Sequence, residues 1–316
     1  MNKKIFLHQH NDFREICESI RDKTKASIQI VEKDYWIMHA IWALTQCDLN
    51  FELKGGTSLS KGWGLIDRFS EDVDIHIHPP VEMKVYSGKN HDKPKHLESR
   101  NDFYNWLSSN IKVPGAASIK RDHEWDDVKA RNCGIAVSYT SNFENLEAIK
   151  PHILLEAGFA QVEPNKELTI SSWASDVAKD ANLDVVDNRA QSIKCYLPEY
   201  TFVEKLSAIS GKFRQFQAGK ILPVNFIRHH YDIYRLLEHD SVLSFVGSDS
   251  FLEHKNSRFR SSDESNLSKN EAFLLQDSKT REVFSKEYLR TKDLYYNDFP
   301  SFDSILDRIG SHISKL

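Results

Sequence analysis

The sequence contains few cysteines and no apolar run of membrane-spanning length. Its four cysteines, Cys17, Cys47, Cys133 and Cys195, are spread widely over 316 residues. No two of them have the close spacing of a zinc-binding motif, and a chain this long needs no disulfide bonds to support its core, so we expect reduced thiols. The longest apolar run, residues 36–44, contains a histidine and is too short to cross a bilayer.

A strong net charge, a secretion signal and internal repeats are also lacking. The formal net charge of -4 gives no overall attraction to nucleic acid. Two lysines near the start are not followed by the apolar segment of a signal peptide. Hydrophobic residues make up 40% of the chain and charged residues 28%, which is typical of a folded, soluble protein. We therefore predict a cytoplasmic location.

Hydrophobic periodicity divides the chain into a mixed first part and a mainly helical second part. Helices of the first part are predicted at residues 11–25, 28–44 and 97–111. Its strands are predicted at residues 51–53, 73–78, 133–139 and 152–159. In the second part, helices are predicted at residues 200–216 and 225–237. The change in character predicts a domain boundary near Glu163.

A glycine motif lies between a predicted strand and a predicted helix. Gly55 and Gly56 are followed directly by Thr57 and Ser58. Glycines let the backbone approach a ligand closely, and the unpaired N–H groups at the start of a helix favour anions. The two hydroxyls are additional donors for phosphate oxygens. An ordinary strand-to-helix turn would show the same residues, so the motif alone does not identify a site.

Two aspartates, Asp72 and Asp74, lie on a predicted strand with one residue between them, so their carboxylates point to the same face. Like charges at this separation repel each other unless a cation lies nearby, and hard divalent cations prefer oxygen ligands. A solvated strand end with acidic turn residues is the alternative. Glu71 faces the other way and is left outside the predicted ligand set.

Glu156 is an acid in an otherwise apolar predicted strand, a placement that requires a partner. A third carboxylate beside the first two would complete a two-metal site for in-line displacement at phosphorus. A lysine partner at the strand end would satisfy Glu156 equally well.

The order of these elements resembles that of the polymerase β-like nucleotidyltransferases. More narrowly, six blocks of sequence resemble the AbiEii/MenT family of nucleotidyltransferase toxins. The blocks are residues 31–37 (VEKDYWI), 53–60 (LKGGTSLS), 68–75 (RFSEDVDI), 154–159 (LLEAGF), 201–209 (TFVEKLSAI) and 228–236 (RHHYDIYRL). They occur in the order expected of the family, and the C-terminal portion after them matches no family motif.

The resemblance implies an α+β fold. A polymerase β-like nucleotidyltransferase domain, a mixed sheet flanked by helices, is expected over residues 1–163, and a mainly helical C-terminal domain over residues 164–316. The resemblance further implies that Asp72, Asp74 and Glu156 hold Mg²⁺ or Mn²⁺ and act in catalysis, with the glycine motif meeting the triphosphate of a nucleoside triphosphate.

In the helical part, the resemblance implies that Lys205 contacts the nucleotide phosphates and takes part in catalysis. Asp232 is expected to orient Lys205 or the nucleotide. Alternatively, Lys205 is a surface lysine of an amphipathic helix, and Asp232 pairs with Arg228 or Arg235 at helical spacing.

Two further sets of residues bear on the same site. Four further residues match the family and are expected to position the glycine turn, namely Lys33, Asp34, Lys54 and Arg68. His76 and His78 continue the Asp-x-Asp strand where the family more often has apolar or acidic residues. They are either additional metal ligands or hydrogen-bonded strand residues.

The family includes toxins that add nucleotides to the 3′ end of tRNA, and it is linked to phage defence beside an antitoxin. We therefore predict a transferase that acts on tRNA and has a cognate antitoxin. Between residues 194 and 235, seven basic residues stand against three acids, a net charge of +4 that suits RNA. The alternatives are transfer to a protein hydroxyl, and a non-catalytic relative that binds nucleotide or RNA.

Overall fold

Two compact units divide the chain. The computed structural model describes residues 4–88, 90–144, 150–222 and 226–316. The first unit consists of Met1–Gly64 and Phe69–Tyr196, and the second of Leu65–Arg68 and Leu197–Leu316. Within the described ranges, no helix is both long and apolar enough to span a membrane.

A mixed seven-stranded sheet forms the centre of the first unit. Its strands are β1 (Asn50–Lys54), β2 (Asp72–His78), β3 (Ser118–Asp122), β4 (Asn132–Ser138), β5 (His152–Gly158), β6 (Asn165–Ile170) and β7 (Ala190–Tyr196). They lie in the order β3-β4-β5-β2-β1-β7-β6. β2 is parallel to β5 and β1 is parallel to β7, whereas the remaining neighbours are antiparallel. The burial pattern of β2 follows from its alternating sequence, because Val73, Ile75 and Ile77 are fully buried on one face.

Helices flank this sheet. They are α1 (Phe13–Thr24), α2 (Ile28–Thr45), α3 (Gly55–Thr57), α4 (Pro94–Asn110) and α5 (Trp173–Asp180), and α3 continues as a π-helical turn, Ser58–Gly62. α2 begins where the Ser27 side chain accepts a hydrogen bond from the N–H of Ile30. It is buried over most of its length because its sequence is mainly apolar.

The second unit is built from helices. They are α6 (Pro198–Gln217), α7 (Arg228–Leu236), α8 (Asp240–Phe245), α9 (Asp249–Arg258), α10 (Glu271–Leu274), α11 (Ser278–Arg290) and α12 (Phe302–His312). α6 packs against α7 and α9 and buries Phe202, Leu206 and Ile209, the apolar stripe that predicted it. A mixed sheet flanked by helices, followed by a helical C-terminal unit, confirms the predicted α+β fold class.

The hydrophobic periodicity of the sequence does not predict three of the strands, namely β3, β6 and β7. β3 and β6 lie at the two edges of the sheet, where charged and polar side chains are favoured and the apolar alternation weakens. The pairing of β6 with β7 is irregular between Leu168 and Ile170. Residues 164–196, expected at the start of the helical part, therefore complete the sheet, and the units divide at Tyr196 rather than near Glu163.

Candidate active site

The two aspartates of the Asp-x-Asp motif lie on the same face of β2. Val73 between them is fully buried on the opposite face, whereas Asp72 is half-buried. The alternation of the strand thus directs both carboxylates to one side, as the sequence predicts. Because β2 is the middle strand of seven, this face lies at the centre of the sheet.

Glu156 is the neighbour of Asp74 on the next strand. The parallel register of β2 and β5 pairs the two residues directly. Burial, and then the negative charges of Asp74 and Asp72, raise the pKa of Glu156 from 4.5 to about 8. A carboxyl group in this setting either keeps its proton or requires a cation. The fold therefore brings the three predicted acids together on adjacent strands.

Asp72 has a cationic partner that the sequence analysis missed. The Nζ atom of Lys150 lies 2.9 Å from Oδ1 of Asp72 and 4.1 Å from the centroid of the Trp125 ring. Lys150 follows no periodic segment, so nothing in its sequence context marks it. Its ammonium group supplies at Asp72 the positive charge that a metal ion would otherwise supply.

The acids fit a divalent cation, although not as one preformed cluster. Asp72, Asp74 and Glu156 do not all place a carboxylate oxygen within 4.8 Å of one another. The donor set is nevertheless all oxygen, which suits a hard divalent cation. Burial, and then the charges of Asp74 and Asp72, raise the pKa of Glu156, so that its ionised form is stabilised by a cation. Asp74 and Glu156 form the more closely facing pair, and Asp72 would join them by exchanging Lys150 for a metal ion.

The glycine turn lies against Asp74. Lys54, which precedes the turn, pairs with Asp74 across β1 and β2. Gly55 has a φ of +71°, a backbone conformation that side chains other than glycine rarely adopt. A Cβ atom at position 55 would overlap Oδ2 of Asp74 and lie 3.0 Å from its Cγ atom. Only glycine allows the backbone to come this close to the carboxylate.

The hydroxyls of the glycine motif face the protein in this structure. Oγ1 of Thr57 donates to the backbone oxygen of Asp72 at 2.7 Å, which ties the turn to the start of β2. Ser58 is fully buried. The hydroxyl of Thr57 is therefore already engaged within the protein, and that of Ser58 is enclosed by it. A phosphate contact by Thr57 or Ser58 stays a prediction.

Two charged residues of α2 form ion pairs beside the site, one next to Asp72 and one next to the glycine turn. Lys33 is fully buried and its Nζ atom lies 3.2 Å from Oε1 of Glu71, directly before Asp72. Oδ1 of Asp34 lies 2.6 Å from Nζ of Lys61, which belongs to the helical turn that follows the glycines. Glu71 thus faces away from the predicted ligands, as expected. Lys33 and Asp34 are positioned to brace the strand and the turn.

Lys205 and Asp232 form a buried ion-pair cluster in the second unit, together with Arg68. Nε and one terminal nitrogen of Arg68 each lie 2.6 Å from a carboxylate oxygen of Asp232. Nζ of Lys205 lies 2.6 Å from Oδ2 of the same carboxylate. Burial alone would raise the pKa of Asp232, but the charges of Arg68 and Lys205 hold it well below its ordinary value. The expected Asp232–Lys205 contact is present.

Arg235, one of the two helical partners considered for Asp232, has other acidic partners. Arg235 pairs instead with Asp67 at 3.1 Å and with Glu238 at 3.2 Å. Arg68 is a long-range partner, separated in sequence by 164 residues, and no helical spacing could have suggested it.

Several of the basic residues between positions 194 and 235 are buried or paired with acids. Lys194 belongs to a strand of the sheet, and Lys205 is buried against Asp232. Arg214 pairs with Asp263 at 2.7 Å. Of the lysines in this range, Lys212 and Lys220 are exposed. The net charge of +4 is therefore weak support for RNA binding.

The comparisons with known proteins bear on this site. Among solved structures, an antigenic nucleotidyltransferase-like protein from Paracoccidioides brasiliensis is similar, with 12% sequence identity and a TM-score of 0.35. The similarity covers 72% of this chain and 95% of that chain. A comparison with curated proteins finds no match. The model of the nucleotidyl transferase AbiEii toxin family, type IV toxin–antitoxin systems, matches residues 36–308. The chain therefore belongs to the AbiEii family of nucleotidyltransferase toxins.

Proposed function

We propose that the chain is a metal-dependent enzyme that transfers a nucleotide from a nucleoside triphosphate to the 3′ end of tRNA. The observation that carries the proposal is the placement of Asp74, Glu156 and Gly55 around one point of the sheet. Two carboxylates that face each other beside a backbone turn suit a nucleotide whose phosphates are bridged by a divalent cation. Membership of the AbiEii family supports the reaction type.

Mg²⁺ or Mn²⁺, held by Asp74, Glu156 and Asp72, would neutralise the triphosphate and polarise the α-phosphorus. The N–H groups of Gly55 and Gly56 bind phosphate oxygens and hold the triphosphate in line. Glu156 accepts the proton of the acceptor hydroxyl, whose oxygen then bonds to the α-phosphorus. The bond between the α-phosphorus and the bridging oxygen breaks, and pyrophosphate leaves with its electron pair.

The proposed acceptor and setting rest on the resemblance to the family rather than on the charge of the surface. The family description assigns its members to type IV toxin–antitoxin systems. We infer a cognate antitoxin, action in the cytoplasm where tRNA is found, and a role in phage defence. We propose that Lys205 contacts the triphosphate, as the resemblance of residues 201–209 to the family implies.

The test is a transfer assay with each α-labelled nucleoside triphosphate, Mg²⁺ and purified tRNA, total RNA or total protein. Label attached to the 3′ end of tRNA by the wild type, but not by Asp74→Asn, supports the proposal. Label in protein alone would assign the enzyme to hydroxyl modification of proteins instead. Bound nucleotide without incorporation under every condition would identify a non-catalytic relative and overturn the proposal.

A further inference from the structure

A second group of potential metal ligands lies on the same sheet face, further along β2. Glu52 of β1 is the direct cross-strand partner of His76, because β1 and β2 are antiparallel. His78 lies two residues after His76 and therefore points to the same face. The register thus collects two imidazoles and one carboxylate from two neighbouring strands.

The three side chains are close enough to share one ion. Nδ1 of His76 lies 2.9 Å from Oε2 of Glu52, and Nε2 of His78 lies 2.8 Å from the same oxygen. One ligand atom from each residue lies within 4.8 Å of the other two. Around a tetrahedral zinc ion, ligand atoms are separated by roughly 3.4 Å. Small rotations of the side chains would therefore admit a metal ion between them.

The surroundings leave the group open on one side. The Glu52 side chain is 7% exposed and that of His76 is 13% exposed, whereas that of His78 is 42% exposed. Nδ1 of His76 is buried, and despite its short distance to Glu52 it makes no well-aligned hydrogen bond. A buried imidazole nitrogen in this state is available to an ion, and the exposed His78 provides the path from solvent.

We propose that Glu52, His76 and His78 form a binding site for a divalent transition-metal ion, with Zn²⁺ as the best fit. Two imidazoles and a carboxylate favour Zn²⁺, Co²⁺ or Ni²⁺ over Mg²⁺, which prefers oxygen donors. Three protein ligands leave a further coordination position for water. The site is chemically distinct from the all-oxygen set of Asp74 and Glu156, and it does not depend on the proposed transferase reaction.

The position of the site suggests what its metal does. His76 follows Asp74 by two residues, about 7 Å along the strand. Glu52 precedes Lys54, the cross-strand partner of Asp74, by the same interval. A metal ion that ties Glu52 to His76 and His78 would fix β1 against β2 directly beside the glycine turn. Its binding would therefore stabilise the region that positions Asp74.

The experiment uses the full chain after removal of metal by a chelator. Zn²⁺ is titrated in competition with a chromophoric chelator, and Co²⁺ binding is followed by its visible absorption. We expect one equivalent to bind tightly in the wild type, with affinity reduced about 10- to 100-fold or more in His76→Gln and His78→Gln. Zn²⁺ should also raise the unfolding temperature of the wild type more than that of either variant.

Matched variants separate this site from other sources of binding. His123 forms an exposed pair with Asp126 at 2.8 Å and has no second histidine in that pair, so His123→Gln should keep wild-type affinity. Asp74→Asn should also keep it. Cys47→Ser removes the least buried thiol. This variant should bind Co²⁺ as the wild type does, and the visible spectrum of both should lack the bands of thiolate coordination.

Circular dichroism establishes that each variant is folded, and the exposed His78 makes His78→Gln the safer of the two substitutions. Equal Zn²⁺ affinity in the wild type, His76→Gln and His78→Gln would overturn the proposal. Absence of any Zn²⁺ or Co²⁺ binding by the wild type would overturn it as well, and would identify the group as a hydrogen-bonded Glu–His–His cluster.

Discussion

The backbone of Gly55 lies so close to Asp74 that a Cβ atom at position 55 would overlap Oδ2 of the aspartate. Gly55→Ala should therefore displace the carboxylate in addition to straining a backbone with φ +71°. The strain costs about 1–2 kcal/mol, and the overlap adds a displacement of Asp74. We expect a loss of transfer activity of about 10²-fold, because a misplacement near 1 Å is costly at a reacting centre. Activity is measured by nucleotide incorporation and stability by thermal unfolding.

Gly64→Ala provides the control for this substitution. Gly64 also has a positive φ, +65°, but nothing lies within 4 Å of a Cβ atom placed there. Gly64→Ala should lose only the stability that the backbone strain costs, whereas Gly55→Ala should lose more because of the overlap with Asp74. Only Gly55→Ala should lose most of its activity. Equal activity in both would show that the contact between position 55 and Asp74 is irrelevant to transfer.

Asp74→Asn tests the acid that lies between the glycine turn and Glu156. Removing one charge from the carboxylate pair should lower transfer about 10³-fold or more, since the metal ion supplies several kcal/mol of charge stabilisation. Above a pH of about 8, where Glu156 is ionised, the substitution relieves the repulsion between the two carboxylates of the metal-free protein. Near-wild-type incorporation by Asp74→Asn would exclude the proposed metal site. Glu82→Gln changes an exposed acid outside the proposed site and serves as the control.

The raised pKa of Glu156 predicts a pH dependence of stability in metal-free protein. Between pH 4.5 and about 8, the unfolded chain releases the Glu156 proton while the folded chain retains it. The contribution of Glu156 to the free energy of unfolding is therefore largest below pH 4.5. It falls as the pH rises and is lost above a pH of about 8. Glu156→Gln cannot release a proton in either state. Its unfolding temperature should fall less with pH across this range.

Added Mg²⁺ gives the same prediction a second readout. A divalent cation binds the ionised carboxylate, so Mg²⁺ should stabilise the wild type more as the pH rises. Glu156→Gln should show a smaller effect of Mg²⁺. Glu167→Gln, a change at an exposed glutamate of β6, should behave as the wild type does in both measurements. Parallel pH curves for the wild type and Glu156→Gln would contradict the assignment.

Period-two alternation was sufficient to predict which residues of β2 face the site, because side-chain direction on a strand depends only on local spacing. Partners that depend on strand register or on long-range folding could not be predicted in this way. The pairing of Glu52 with His76 requires knowledge of how β1 aligns with β2. The Lys150–Asp72 and Arg68–Asp232 ion pairs join residues separated by 78 and 164 positions. The acids and Lys205 could therefore be singled out in the sequence, whereas the pairing of Lys150 with Asp72 and of Arg68 with Asp232 could not.

Asp232 is the carboxylate that neutralises two buried cations in the second unit. Asp232→Asn leaves Arg68 and Lys205 facing a neutral amide, and we expect a loss of about 3–5 kcal/mol in the free energy of unfolding. The control is Asp67→Asn, which removes the partly exposed partner of Arg235. That change should cost less than about 1 kcal/mol. Chemical denaturation followed by circular dichroism measures both, and equal losses would contradict the predicted role of burial.

Lys205→Met distinguishes a structural role of this lysine from a role in binding the triphosphate. Methionine keeps much of the length of the side chain, and Asp232 retains both hydrogen bonds from Arg68, so the loss of stability should be about 1 kcal/mol. If Lys205 contacts the triphosphate, kcat/KM should nevertheless fall by about 10²-fold, since a phosphate oxygen loses a charged partner. Lys212→Met changes an exposed lysine of the same helix α6 and should alter neither quantity. An unchanged kcat/KM in folded Lys205→Met would limit Lys205 to pairing with Asp232, because a residue that binds the reacting nucleotide cannot be neutralised without an effect on the rate.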